Sequence, residues 1–126
     1  MYFHVWFSTK YRKWLLQGDV EVKVKEVFQQ VAIEKQINLV EFETMVDHVH
    51  MLVEVPEPGS LPNALKLLKG RSAYEVFRSY PDVKLDAGVN SLWQDGYRSR
   101  QVPPAQIGVV RRYIQTQDQR LEKYDW

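Results

Sequence analysis

His48 and His50 stand one residue apart in the run Asp47-His48-Val49-His50. The flanking segments, Glu41 to Val46 and Met51 to Val55, are of strand type, and alternate side chains of a strand share a face. Both imidazoles then point one way while Val49 points into the opposite layer. Two neighbouring imidazoles can hold one divalent cation if a third ligand is near. A candidate lies far along the chain, where Ala105 to about Leu121 reads as a helix with Ile107, Val110, Ile114 and Leu121 on its buried stripe. At about 100° per residue, Tyr113 and Gln117 lie about 40° apart around that helix, beside the stripe. Gln117 offers a neutral carbonyl oxygen. Tyr113 offers a hydroxyl that ionises near pH 10 when unperturbed, so it needs activation to act as a nucleophile. Asp47 either orients a histidine from behind or only shapes a turn.

The elements that must position these groups are legible in outline. Tyr2 to Ser8 is apolar and aromatic and suits a central strand; Thr9 to Lys13 follows as a basic exit. A helix opens at Gly18-Asp19 with Asp19 as its expected N-cap, and Val20, Val24, Val27, Phe28 and Val31 give its apolar stripe. Asn38–Val46 and His48–Val55 are either one bent strand or two strands joined by a tight turn. Ser60-Leu61-Pro62 starts a second helix with a capping hydroxyl and a first-turn proline. Leu61, Ala64, Leu65, Leu68, Ser72, Val76 and Phe77 form its buried face. Asp82 to Asn90 reads as a polar loop, and Leu92 to Arg100 as strand, turn or bulge, then strand. This order predicts an α+β fold, a ferredoxin-like antiparallel sheet with helices packed on one side.

The chain has 126 residues, enough for a single domain over 1–126 with a real core. The absence of cysteine excludes disulfides and thiolate metal sites, and makes a reducing cytoplasm the expected location. No segment has the length of a membrane span, so no membrane partner is expected. A net charge of +1 means that any nucleic-acid footprint must be local.

Taken together, the motifs resemble the single-tyrosine HUH transposases of the smallest bacterial insertion sequences, the TnpA type of the IS200-like transposase family. His48 and His50 match the HUH histidines, Tyr113 the nucleophile in a Tyr-Ile-x-x-Gln pattern, and Gln117 the helical ligand. His4-Val5-Trp6-Phe7-Ser8-Thr9-Lys10-Tyr11-Arg12, Leu67-Leu68-Lys69-Gly70-Arg71-Ser72 and Leu92-Trp93-Gln94-Asp95-Gly96-Tyr97 are similar as well. The matches therefore run in order through nearly the whole chain.

The resemblance implies cleavage and rejoining of single-stranded DNA at hairpin-marked element ends through a 5′-phosphotyrosine on Tyr113. It also implies a divalent metal, Mg²⁺ or Mn²⁺, on His48, His50 and Gln117. It further implies a homodimer in which each tyrosine helix serves its partner's histidines. Lys10, Arg12, Lys13, Lys66, Lys69, Arg71, Arg98 and Arg100 are the candidate DNA contacts, with Tyr11, Trp14 and Tyr97 available for base stacking. Relatives carry glycine where this chain has Gln101-Val102-Pro103-Pro104-Ala105, so the approach to the tyrosine helix is stiffer here. Two alternatives are a host-adapted relative that processes repeated extragenic palindromes and a hairpin-binding protein without catalysis.

Overall fold

The alternation of β1 (Tyr2–Ser8) organises the molecule: Phe3, Val5 and Phe7 face one layer, while Tyr2, His4 and Trp6 face the other. The computed structural model describes residues 1–116, so Gln117 and Leu121 of the expected third helix lie outside the described residues. After β1 come α1 (Gly18–Glu34), β2 (Asn38–Thr44), β3 (His48–Glu54), α2 (Leu61–Ser79), α3 (Asp82–Ala87), β4 (Arg98–Val102) and α4 (Ile107–Gln115). The strand order is β2-β3-β1-β4, and every neighbouring pair is antiparallel. Helix α1 carries the chain from β1 past β3 to β2, and the segment containing α2 carries it from β3 past β1 to β4. That is the split βαβ arrangement expected for a ferredoxin-like fold.

The main core lies on the Phe3, Val5 and Phe7 side. Val49, Met51 and Val53 of β3 join it, packed against Val24, Val27, Phe28 and Val31 of α1 and against Leu65, Leu68 and Val76 of α2. Trp93 is buried in the same core, edge-on to Phe7, and its indole N–H donates to Ser72 Oγ at 2.9 Å. The other face holds a smaller cluster of Leu52, Val102, Val110 and Ile114, which docks α4 there. Helices α1 and α2 thus share one side of the sheet as expected. Helix α4 takes the opposite side, where its strongly amphipathic stripe meets apolar ground beside the histidines at Leu52, Val102 and Val40.

Of the two alternatives left open at 38–55, the chain takes two strands joined by a tight turn, Met45–Asp47, with Met45 N–H donating to His48 O at 2.8 Å. Several other local expectations are corrected. The N-cap of α1 is Gln17; Asp19 sits inside the first turn, where its charge complements the helix dipole. Ser60 precedes α2 but makes no side-chain cap, because it ends a 3₁₀ turn, Pro58–Ser60, and is itself helical. The expected loop at 82–90 contains α3, closed by Gly88 in the left-handed region (φ 67°). Of the expected strand pair in 92–100, the first half makes only an isolated bridge, Thr9 to Trp93; β4 alone is a strand and reaches Val102. Pro104–Gln106 forms a 3₁₀ turn, which delays α4 to Ile107.

Candidate active site

β3 brings His48 and His50 onto the α4 face of the sheet, both buried, with ring centroids 5.1 Å apart. In register, His48 stands opposite Ser8 and His50 opposite Trp6, whose indole is stacked at 22° and 6.3 Å. His4 is diagonal to His50 on the same face.

His48 and His50 are each held at Nδ1. His48 Nδ1 lies 2.7 Å from Asp47 Oδ1, where an N–H donates to the carboxylate. The second oxygen of Asp47 accepts from Arg12, at 3.2 Å from Nε and 3.0 Å from a terminal nitrogen. The Asp47 carbonyl accepts Thr9 N–H at 2.9 Å, which fixes the turn itself. Asp47 therefore does both things its position allowed, shaping the turn and orienting His48 from behind. Arg12 reaches it from a tight turn in which Tyr11 (φ 57°) and Arg12 (φ 52°) are both left-handed. Such conformations cost on the order of 1–3 kcal/mol each and persist only where the surroundings impose them.

His50 Nδ1 lies 3.0 Å from His4 Nε2. Burial, then the nearby His48 and His4, push His50 down to about 3; burial and the Arg100 guanidinium push His4 down to about 4. Both are neutral at physiological pH, so they offer lone pairs and no charge. Two buried imidazoles, one backed by a carboxylate, fit two positions of a divalent cation. Among the described residues no third His, Cys, Asp or Glu completes such a site. The expected third ligand, Gln117, lies outside the described residues.

Helix α4 lays Tyr113 over this floor. Its ring is edge-on to His4 at 5.7 Å and to His50 at 5.8 Å. Val110 and Ile114 fix the helix below, while Gln115 donates to Glu41 at 2.8 Å and Arg111 pairs with Glu41 at 3.6 Å. Tyr113 thus stands at the histidines of its own chain. Glu41 and Leu52 anchor the helix there within the single chain, while service to a partner's histidines is a property of a dimer.

His4, Trp6, His48 and His50 floor an open cleft of about 950 Å³, walled by Arg12, Arg98 and Arg100 together with residues 94–97. Arg98 and Arg100 are exposed on β4. Lys10 lies over the exposed Tyr11 ring at 5.2 Å, and Lys13 is exposed nearby. Two other candidate DNA contacts have partners within the chain. Lys69 donates to the carbonyls of Gln94 (2.9 Å) and Gly96 (2.6 Å), holding the cleft wall; burial lowers its pKa. Arg71 pairs with Glu34 at 3.2 Å, joining α2 to α1 away from the cleft. His4 reads from the sequence as a structural residue of the first strand, and the structure places it at the site. Its alternation with Phe3 and Val5 signalled the face, but only the β1–β3 register shows that it meets His50.

The family described as "Transposase IS200 like" matches residues 1–117. The ISDra2 transposase TnpA of Deinococcus radiodurans is 30% identical over 115 residues, 91% of this chain and 82% of that protein. The transposase for insertion sequence element IS200 of Salmonella typhimurium is 28% identical over 95 residues, 75% of this chain; the match spans 62% of that relative's length. A crystal structure of a Deinococcus radiodurans protein described as a transposase superposes with a TM-score of 0.74 at 29% identity, covering 93% of this chain and 90% of that one. A REP-associated tyrosine transposase bound to a REP hairpin shares the fold, with a TM-score of 0.67 at 11% identity over 94% of this chain and 67% of that one. With its histidine pair, helix tyrosine and cationic cleft on this sheet, the chain belongs to the IS200-like transposase family.

Proposed function

We propose that this chain cleaves and rejoins single-stranded DNA at hairpin-marked ends, with Tyr113 as the nucleophile and a divalent metal on His48, His50 and Gln117. The observation that carries the reading is the meeting of Tyr113 with the two-histidine floor in a cleft rimmed by arginines. The Tyr113 oxygen attacks a backbone phosphorus, the bond to the 3′ oxygen breaks, and that oxygen leaves as a hydroxyl once protonated. The 5′-phosphotyrosine keeps the phosphodiester energy, so a second 3′-hydroxyl can displace Tyr113 and rejoin strands without a nucleotide cofactor. When bound, Mg²⁺ or Mn²⁺ supplies Lewis-acid stabilisation of charge on the phosphate oxygens.

The chain's own residues provide the rest. Asp47 holds the His48 ring, and Arg12, Arg98 and Arg100 attract the DNA backbone. Trp6 and Tyr97 line the cleft as platforms for unpaired bases. A homodimer remains part of the proposal, with Tyr113 acting within its own chain, because α4 is fastened to its own β2 through Glu41. Host processing of palindromic repeats is a second reading that shares this chemistry, suggested by the fold shared with a REP-associated tyrosine transposase bound to a REP hairpin; paired imperfect palindromes flanking the gene would favour an element instead. Covalent capture of a single-stranded hairpin by the wild-type chain, and none by Tyr113→Phe, tests the reading.

A further inference from the structure

We propose that His4 is a positioning residue that sets the ring tautomer of His50 and thereby makes His50 competent to ligate metal. This rests on the metal reading above.

The His4 Nε2 to His50 Nδ1 separation of 3.0 Å places one proton between two buried ring nitrogens. If His50 donates from Nδ1, its Nε2 carries the lone pair and can ligate. If His4 donates instead, a neutral His50 must carry its own proton on Nε2, and that nitrogen cannot ligate. Metal binding therefore requires His4 to accept at Nε2, and a neutral His4 then carries its proton on Nδ1.

His4 Nδ1 is buried without a hydrogen-bond partner among the described residues. A buried unpaired N–H is less tolerable than a buried unpaired acceptor. The metal-free chain consequently favours His4 as donor; ligation at His50 Nε2 would displace the proton held there, the shared proton would pass to His50 Nδ1, and His4 would take up a proton at Nδ1, leaving both rings neutral. His48 has no such choice, because its Nδ1 faces a carboxylate, which can only accept. The two histidines of the motif are thus oriented by different devices. One is fixed by the Asp47 carboxylate, and the other is switched by a third imidazole contributed by β1.

The test uses the full chain without DNA. Mn²⁺ affinity is measured for the wild type, His4→Phe and His4→Gln, with folding checked by thermal melts. Phenylalanine fills the space but accepts nothing, whereas the glutamine carbonyl can take the His50 proton. His4→Phe should bind Mn²⁺ about 10- to 100-fold more weakly, with His4→Gln recovering most of the loss. Long-range ¹⁵N–¹H NMR of the wild type should show His50 protonated at Nε2 without metal and at Nδ1 with saturating Mg²⁺. That measurement stands whether or not His4→Phe folds. Equal Mn²⁺ binding by wild type and folded His4→Phe, or His50 still protonated at Nε2 under saturating Mg²⁺, overturns the role of His4 alone. No Mn²⁺ binding by the wild type overturns the metal site, and this inference with it.

Discussion

His48 donates its Nδ1 proton to Asp47 across 2.7 Å, and the same carboxylate is tied to Arg12 through its other oxygen. The ring is thereby fixed with its lone pair on Nε2, the nitrogen the proposed metal would use. Asp47→Ala should weaken Mn²⁺ binding by about 10- to 100-fold. The change also releases Arg12 from its turn, so a melt on the same sample separates lost metal affinity from lost structure. Unchanged affinity in a folded Asp47→Ala chain would sink this role.

Acid should destabilise the fold well before its carboxylates titrate. His50 and His4 have folded pKa values near 3 and near 4, against 6.5 for an exposed histidine. As pH falls from about 6.5 to about 4, the unfolded chain takes up protons that the native chain refuses. Native stability therefore rises with pH across that window and falls toward its acid end. Urea midpoints measured from pH 7.5 to 4.5 should show this slope, and His4→Phe should flatten it. A pH-independent midpoint would mean that the two rings are not buried neutral.

Lys69 and Arg71 of α2 should separate from the arginines of β4. Arg98→Ala and Arg100→Ala should each lower the slope of log affinity for single-stranded DNA against log salt by about one. Arg71→Ala should leave that slope alone and cost at most about 1 kcal/mol of stability, as exposed ion pairs do. Lys69→Ala removes a charged donor to two carbonyls of the cleft wall, and a loss of about 1–3 kcal/mol is expected. Salt titrations and denaturation curves on the four variants provide the comparison. A slope change in Arg71→Ala as large as that in Arg98→Ala would reverse the assignment.

How much of this was visible in the sequence follows from which information is local. β1, the faces of α1 and α2, and the shared face of His48 and His50 follow from alternation and helical spacing, which each segment carries by itself. Asp82–Asn90 misled because its polar residues suit a loop, yet Pro81 and Gly88 bracket one short helix, α3. Leu92–Tyr97 has strand-like residues but spends Trp93 in the core and its backbone on Lys69, leaving only a single bridge. Gly96 (φ 79°) turns the chain there, in a conformation other residues rarely adopt. His4 against His50 and Arg12 against Asp47 are meetings across strands and turns, set by register. Residue spacing carries no record of register, and so Arg12 and Lys69 read as free cations. The side taken by α4 was equally hidden, because an amphipathic stripe does not say which face of a sheet it will cover.

The anchoring of α4 predicts the result of mixing two inactive chains. His48→Ala and Tyr113→Phe, combined at equal concentration, should not recover cleavage of single-stranded DNA if Tyr113 acts on its own chain. Glu41→Ala removes the fastening to Gln115 and Arg111 and should lower activity in a single chain. Recovery on mixing would show exchange of the tyrosine helix between protomers, against the arrangement seen here.

The most direct measurement of the central claim is covalent capture. Single-stranded DNA from both flanks of the gene is incubated with the full chain, with Mn²⁺ or Mg²⁺ and without metal, and resolved on a denaturing gel. The expected result is an adduct that requires metal, maps to Tyr113 by mass spectrometry and disappears in Tyr113→Phe. Hairpin binding by the wild type without any adduct, or an adduct that persists in Tyr113→Phe, would contradict it.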